Sequence, residues 1–460
     1  MKSEKLLYVL AFTMIVSSMS ATMFNIVLPS MSEEFRLSYS QVSWVSAIYF
    51  LIYAIGSAVY GKLADLYKLK NLLTFGIIFF CFGSFIGLAS QGYWMVLLGR
   101  ILQACGAAVI PATAMIVPIR YFPAENRGWA LGTTATGLAI GSAVGPVVSA
   151  MLVSFAHWRW LFCLPLLLLF TLPLFRKYLG DEQGKGEKLD LIGGGLLAVT
   201  VACLLLAVTF EDWLPAAISA VALLLFVLRI RKAASPFVNP KLFGNRNYSF
   251  GLVIAILLVS VSFALPFLTP QLLADVHKLS PGLIGFAMVP GAAVSAFLGR
   301  KAGKLADKKG NATLFTIASG LLFICFTLMS LFAGILPAIV AVFLIFGNVG
   351  QTFLQIALSN TISGTLPKEQ TGVGMGLLSM LNFLAGAVSA SVFGKIVDQG
   401  AAFRLNPFYA FPDSYVYSNI YFVLALVVLG VWIFYLIKFG EKSLKSDTVT
   451  SGLKEKSLIK

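Results

Sequence analysis

The chain has 460 residues, of which 58% are hydrophobic and only 12% charged, and its formal net charge is +15. Soluble globular domains carry about a quarter charged residues, so this composition excludes a soluble fold and places the chain in a bilayer. The basic excess does not mark a nucleic-acid binder either, because the lysines and arginines sit in short connectors between apolar runs, which is the pattern of membrane topology.

A spanning helix needs about 20 mostly apolar residues. On that criterion fourteen segments follow one another, at 6–29, 41–60, 72–90, 94–119, 129–153, 159–175, 191–210, 213–228, 248–271, 282–299, 313–333, 335–361, 372–394 and 416–437. The first follows Lys2 and Lys5 and could mimic a secretory leader ending near Ala21, but its apolar run continues to Pro29, as an uncleaved spanning helix would. Of the 34 Lys and Arg residues, only Arg36, Arg159, Lys278, Lys395 and Arg404 fall on one side of the segments and Arg100 within one. All the others fall on the opposite side, which predicts a multi-pass protein of the cell membrane with both termini cytoplasmic.

The pentapeptide Gly61-Lys62-Leu63-Ala64-Asp65 returns as Gly303-Lys304-Leu305-Ala306-Asp307, each time after an apolar run and in a basic connector that also holds Lys68 and Lys70 in the first copy. A repeat at that distance points to two fused bundles rather than a solenoid. The copies follow the second and tenth segments, so two extra helices must lie between two six-helix halves. The seventh and eighth segments, nearly free of polar side chains, are the natural extras and are expected to face lipid. The organisation read from this is a first bundle over 1–178, extra helices and a basic connector over 179–247, a second bundle over 248–438, and a polar, disordered tail over 439–460. Asp65 and Asp307 are read as loop carboxylates that cap the following helix and serve a shared gating role with Gly61, Lys70 and Gly303.

Arg100 is the sharpest single residue. A guanidinium deep in a spanning helix costs at least about 2.5 kcal/mol to insert and so faces a cavity or a partner. Gln103 lies three residues on, on the same helical face. The alternative is an arginine that hydrogen-bonds carbonyls and only holds helices together. The twelfth segment carries Asn348, Gln351, Thr352, Gln355 and Ser359 on one helical face, a stripe that either lines an aqueous path or bonds between helices. Ser17, Ser20 and Asn25 in the first segment and Asn382 in the thirteenth are candidates of the same kind. In the fifth, Gly141, Gly145 and Pro146 form a small-residue face around a proline, read as a packing and hinge device.

The five cysteines, Cys81, Cys105, Cys163, Cys203 and Cys325, lie singly in apolar runs, so neither a disulfide nor a metal site is expected. No Asp or Glu falls near the middle of a segment, and His157 and His277 fall in connectors, so the buried acid–base or nucleophile pairs of a membrane enzyme are missing. No cofactor is expected.

Taken together these residues resemble the major facilitator superfamily, and within it the fourteen-helix drug:proton antiporters, among them the class L and class K tetracycline exporters of Gram-positive bacteria. Gly61 and Asp65 match the superfamily's gating loop, while Leu66, Lys68 and Leu69 depart from its usual ending. Arg100, Gln103 and Gly106 match the helix-four motif whose arginine is implicated in proton transfer, with Ala104 in place of a glycine. Gly141, Gly145 and Pro146 match the helix-five antiporter motif, with Ser149 and Ala150 where glycines are usual. Glu125-Asn126-Arg127-Gly128, His157-Trp158 and Ser235-Pro236-Phe237-Val238-Asn239-Pro240 are similar to stretches of the tetracycline exporters. Where those exporters carry acids in helices one, five and thirteen, this chain has Ala21, Ser142 and Gly386.

The resemblance implies a secondary exporter that exchanges a small organic solute, an antibiotic or a self-made metabolite, for protons by alternating access. Its partners would be that solute, protons and the lipid bilayer, with no nucleic acid and no obligate protein partner. The missing acids favour a neutral, zwitterionic or anionic solute. Monovalent cation/proton exchange and a non-transporting membrane sensor are the alternative readings.

Overall fold

A computed structural model describes residues 2–180, 190–401, 403–409, 411 and 415–440. The tail expected to be disordered lies outside the described residues. So do the side chains of Asp65, Asp307, Glu125, Asn126 and Arg127.

Fourteen helices among the described residues are long and apolar enough to cross a membrane. We number them α1 Glu4–Phe35, α2 Tyr39–Gly61, α3 Leu69–Leu88, α4 Tyr93–Pro118, α5 Gly132–Val153, α6 Trp158–Tyr178, α7 Leu191–Phe210, α8 Trp213–Lys232, α9 Arg246–Asp275, α10 Pro281–Gly299, α11 Asn311–Phe332, α12 Pro337–Ser363, α13 Val373–Gln399 and α14 Tyr415–Lys438. Each coincides with a segment read from hydropathy. Two six-helix halves, α1–α6 and α9–α14, flank the extra pair α7 and α8. An even number of spans puts both ends of the bundle's chain on one face, here the terminal face; the other is the far face.

Several spans are not uniform rods. The first runs from Lys2 to Thr22, tightens to a 3-10 turn over Met23–Val27 and resumes over Leu28–Phe35. The ninth is interrupted at Phe263, and Trp158–Thr171, with Pro165 inside, is 3-10 throughout. The turn at Met23–Val27 and the break at Phe263 are buried against neighbouring helices, while the 3-10 stretch of α6 satisfies its backbone with its own i to i+3 bonds.

Small residues set the packing, as they must where lipid tails compete equally for apolar contact. The α3–α4 pair is tight: a Cβ on Gly83 would lie 2.6 Å from the Gly99 carbonyl, and one on Gly106 only 2.2 Å from that of Gly76. In the second half α11 and α12 pack the same way, and α12 also packs on α10. Two seams join the halves, α2 against α13 and α5 against α10. Given the offset of eight helices between the copies of the repeat, these are the same pair of positions exchanged between halves. At the far face the seams are closed: Gly394 meets the Tyr39 carbonyl, Gly282 meets Ser154 and Gly285 meets Ala150. Midway, Phe50 and Tyr53 of α2 pack edge-on against Phe263 of α9 and Phe383 of α13, with centroids 5.5 and 4.8 Å apart. Toward the terminal face the same helices lose their neighbours. An added Cβ at Gly61, Gly132, Gly303 or Gly376 would meet nothing within 4 Å.

The extra pair differs from the expectation of two lipid-facing helices. While α8 packs mainly on α7, α7 docks into the seam between α2 and α13. Thr209 accepts from the Trp44 indole at 2.9 Å, and Glu211 at the hairpin tip pairs with Lys395 at 2.9 Å and accepts from Gln399 at 2.8 Å. The hairpin therefore touches both halves. At its other end the Asp190 carboxylate caps α7 at Gly193, pairs with Arg229 of α8 and accepts from the Phe237 amide. Burial raises that carboxyl's pKa, yet the amide donors and the Arg229 guanidinium outweigh it and hold it below its ordinary value.

The repeated pentapeptide is also placed differently. Both copies are helical rather than looped, because the helices run through them to Leu66 and to Lys309. Leu63, Ala64, Leu305 and Ala306 are good helix formers, and nothing in the motif breaks a helix once it has left the apolar layer. Asp65 and Asp307 thus lie within the closing turns of helices and are not caps of the next ones. The N-cap positions of those next helices are held by Lys68 and Gly310.

Candidate functional site

Arg100 lies two turns into α4 from the far face and is completely buried. Two neighbouring helices and its own hold it. Its Nε donates to the Val45 carbonyl of α2 at 3.0 Å, and Nη1 donates to the Ser20 carbonyl of α1 and to Gln103 Oε1, both at 3.1 Å. Gln103 in turn donates to Ser84 Oγ of α3 at 2.8 Å, so the helical i, i+3 pair extends into a chain across the first half. The Phe24 and Tyr49 rings cover the guanidinium, with centroids 4.4 and 4.0 Å from Cζ.

The site is under-satisfied in one direction. Nη2 has no hydrogen-bond partner, and neither does the buried Asn25 Nδ2 of the same half. No carboxylate among the described residues pairs with Arg100. A buried cation without a counter-ion is costly, and it favours negative charge beside it.

The i, i+3 spacing does bring the Arg100 and Gln103 side chains together. Ser17, Ser20 and Asn25, expected on a cavity wall, are fully buried inside the first half. Ser17 Oγ lies 3.4 Å from the Tyr53 hydroxyl, and Asn25 Oδ1 accepts from Ser46 at 2.6 Å. The Phe24 and Tyr49 rings, which no polar pattern flags, are what cover the guanidinium. The stripe on α12 splits. Asn348 turns back to the Leu344 carbonyl at 2.9 Å beside Gly291 of α10, Gln351 is half-buried and Gln355 is exposed. Asn382 on α13 is half-buried, with its Oδ1 unpaired.

The glycines of α5 are packing residues. Gly137, Gly141 and Gly145, one turn apart, lie against the Ala11 and Ile15 carbonyls and the Thr22 side chain of α1. The helix runs unbroken from Ala124 to Val153 through Pro146, so the proline marks no visible break. Ser142, where the resemblance places an acid, lies with its Oγ 2.6 Å from Ser18 Oγ on α1. Gly386, at another such position, faces the Phe263 and Phe50 rings.

At the far face a second constellation appears that the sequence did not single out. Glu34, closing α1, accepts from the Trp158 indole at 2.6 Å and pairs with Arg159 at 2.8 Å, and Arg159 Nε also donates to the Ser90 carbonyl at 2.6 Å. This gives His157-Trp158 a structural reason: the start of α6 ties down α1 and the α3–α4 turn. Beside it Asp275 and Asp398 of the second half bind Tyr39 and Ser40 of the first.

Comparison with known proteins agrees with this architecture. Residues 10–390 match the family model described as Major Facilitator Superfamily. The riboflavin transporter RibZ of Clostridioides difficile (strain 630) is 26% identical over 456 residues, covering 96% of this chain and 98% of that one. Multidrug resistance protein 3 of Bacillus subtilis (strain 168) is 24% identical over 385 residues, 80% of this chain and 75% of its own. Among solved structures, a POT family transporter in complex with 5-aminolevulinic acid superposes with a TM-score of 0.69 at 14% identity, covering 95% of this chain and 96% of that chain. The human organic anion transporter MFSD10 gives 0.65 at 12% identity, over 94% and 99%. Fourteen spanning helices, two halves related by a repeat and a family match over most of the length lead to one conclusion: the chain belongs to the Major Facilitator Superfamily and is a membrane transporter, not an enzyme.

Proposed function

We propose that the chain is a proton-coupled secondary exporter of a small neutral, zwitterionic or anionic organic solute, working by alternating access of its two halves in the cell membrane with both termini cytoplasmic. The carrying observation is Arg100, buried with Nη2 unpaired and no described carboxylate beside it. An uncompensated cation repels a cationic cargo and attracts an anionic group or the negative end of a dipole. The basic bias of the terminal face supports its assignment to the cytoplasm. On that assignment the seams are closed outside and parted inside. Relatives named as multidrug resistance proteins support export of organic solutes. Ala21, Ser142 and Gly386, which stand in place of the exporters' acids, weigh against monovalent cation exchange.

A flat heteroaromatic cargo is a second reading, favoured by the near end-to-end match to a protein named as a riboflavin transporter and by the Phe50, Tyr53, Phe263 and Phe383 rings at the meeting of the halves. Aromatic faces that part as the halves rock could stack on such a ring.

The test is intracellular accumulation of labelled tetracycline, riboflavin, an organic anion and a cationic dye in cells expressing the chain or Arg100→Ala, with and without a protonophore. Lower accumulation of a neutral or anionic compound, abolished by both the substitution and the protonophore, is the expected result. Export of the cationic dye alone would overturn the charge argument.

A further inference from the structure

On the terminal face α9 begins beside the end of α14, with Arg246 the first residue of one span and Lys438 the last of the other. A cavity of about 400 Å³ lies there, lined by Phe243, Arg246, Asn247, Ser249, Phe250 and Lys438. No Asp or Glu among the described residues lines it, and neither cation pairs with a described carboxylate. The Lys438 ammonium is seated on an aromatic ring: Nζ lies 4.7 Å from the Phe250 centroid, and Phe250 meets Phe434 of α14 edge-on at 6.0 Å. Two uncompensated cations from two helices therefore share one cavity.

From the cavity toward the middle of the span the surface turns apolar. Arg246, Phe250, Val253 and Leu257 fall at i, i+4, i+7 and i+11 of α9, which is one face of a helix, and Val253 and Leu257 are exposed on it. On α14 Ile433 and Ile437 are exposed, and an added Cβ at Gly430 would meet nothing within 4 Å. Cations at the end of a span lie at headgroup depth, and the apolar strip that follows lies in hydrocarbon. That order fits an amphiphile with an anionic head and an apolar tail. A free anion would use the cations and leave the strip idle, while a zwitterionic head brings a cation of its own that Arg246 and Lys438 repel.

We propose that this cavity binds the phosphate-bearing head of an anionic phospholipid from the leaflet on the terminal face, with an acyl chain laid along Val253 and Leu257. Bound there, the lipid bridges the start of α9 and the end of α14. The inference needs only that the chain spans a bilayer, and it does not depend on the cargo, on proton coupling or on Arg100.

The test is native mass spectrometry of the full chain in an uncharged detergent, titrated with phosphatidylglycerol or phosphatidylcholine and read as the first lipid retained. Phosphatidylglycerol should be retained at a concentration about tenfold lower than phosphatidylcholine, and Arg246→Gln/Lys438→Gln should abolish that preference. Arg246→Lys/Lys438→Arg, which keeps both charges, should preserve it. Phe250→Leu, which removes the ring under Lys438, should weaken phosphatidylglycerol binding about threefold. Arg231→Gln/Lys232→Gln removes two exposed charges from the same face outside the cavity and should leave the preference intact. Equal retention of the two lipids by the wild type would overturn the proposal. So would an equal loss in the Arg231/Lys232 variant, which would reduce the effect to diffuse attraction. Displacement of the lipid by inorganic phosphate at equal concentration would make this a free-anion site and overturn the lipid assignment. Unfolding temperatures measured without lipid check that each variant is folded. Loss of solute transport with lipid preference intact would count against the proposed function and not against this site.

Discussion

Gly141 of α5 lies so close to Ile15 of α1 that an added Cβ would stand 2.3 Å from the Ile15 carbonyl oxygen and 2.9 Å from its Cα. The obstacle is backbone, which cannot swing aside as a side-chain tip can. Gly141→Ala should therefore force α1 and α5 apart and lower thermal stability in detergent, at a cost of about 1–3 kcal/mol. Gly132→Ala, near the start of the same helix, meets nothing within 4 Å and should be neutral or stabilising by up to about 1 kcal/mol through helix propensity. Equal effects of the two substitutions on the unfolding temperature would show that the α1–α5 contact is looser than described.

Arg100→Lys separates charge from geometry. The guanidinium reaches Val45, Ser20 and Gln103 from a planar fork between two rings, while an ammonium is a point charge that cannot span all three. Transport should fall at least about tenfold, and thermal stability should drop by about 1–3 kcal/mol as Gln103 and the Val45 carbonyl lose their donor. Near-wild-type flux in Arg100→Lys would mean that positive charge alone is sufficient at this position.

The fold was readable because membrane insertion leaves a strong one-dimensional signal. Apolar length gave the fourteen spans and the pentapeptide repeat gave the halves, even where Pro165 or the Phe263 break makes the helix irregular. What hydropathy cannot carry is which face of a span meets which neighbour. Ser17, Ser20 and Asn25 read as cavity residues from their polarity alone, yet they are fully buried within the first half. Asp275 and Asp398 were passed over because they stand at the ends of spans, where an acid is ordinary. Only the approach of Tyr39 from the other half gives them a role. The α7–α8 pair read as lipid-facing for a similar reason, since one threonine and one hairpin-tip glutamate are enough to seat it in the seam.

Asp190 offers a prediction in pH. Its carboxylate joins α7, α8 and the connector at Phe237, and its pKa in the folded state is depressed below the ordinary 3.8. The stabilisation is therefore complete above that ordinary value and disappears as pH falls through the lower folded one. Asp190→Asn keeps the shape but presents an amide N–H₂ to groups that are themselves donors. At neutral pH it should cost about 1–3 kcal/mol and speed proteolysis of the connector at 233–245. The difference from wild type should shrink on acidification below the carboxylate range. A gap that stays constant with pH would mean that Asp190 acts by packing alone.

Gly285 of α10 tests whether closure of the far face depends on the α5–α10 seam. A Cβ there would overlap Ala150 Cβ at 1.6 Å and approach its Cα at 2.8 Å, so the contact between halves exists only because the position is glycine. Gly285→Val should wedge the seam open at the far face, since the three atoms nearest to that Cβ all belong to Ala150 of the other half. A useful reporter is Ser391→Cys in a background without native cysteines. Ser391 is fully buried on α13, one turn from the Gly394 that touches Tyr39 at the other seam. Its labelling by a membrane-impermeant maleimide from the far side should rise at least about tenfold with Gly285→Val, and solute flux should fall because the cycle can no longer return to the far-closed state. Labelling confined to wild-type levels, with flux preserved, would mean that the α2–α13 seam seals the far face alone.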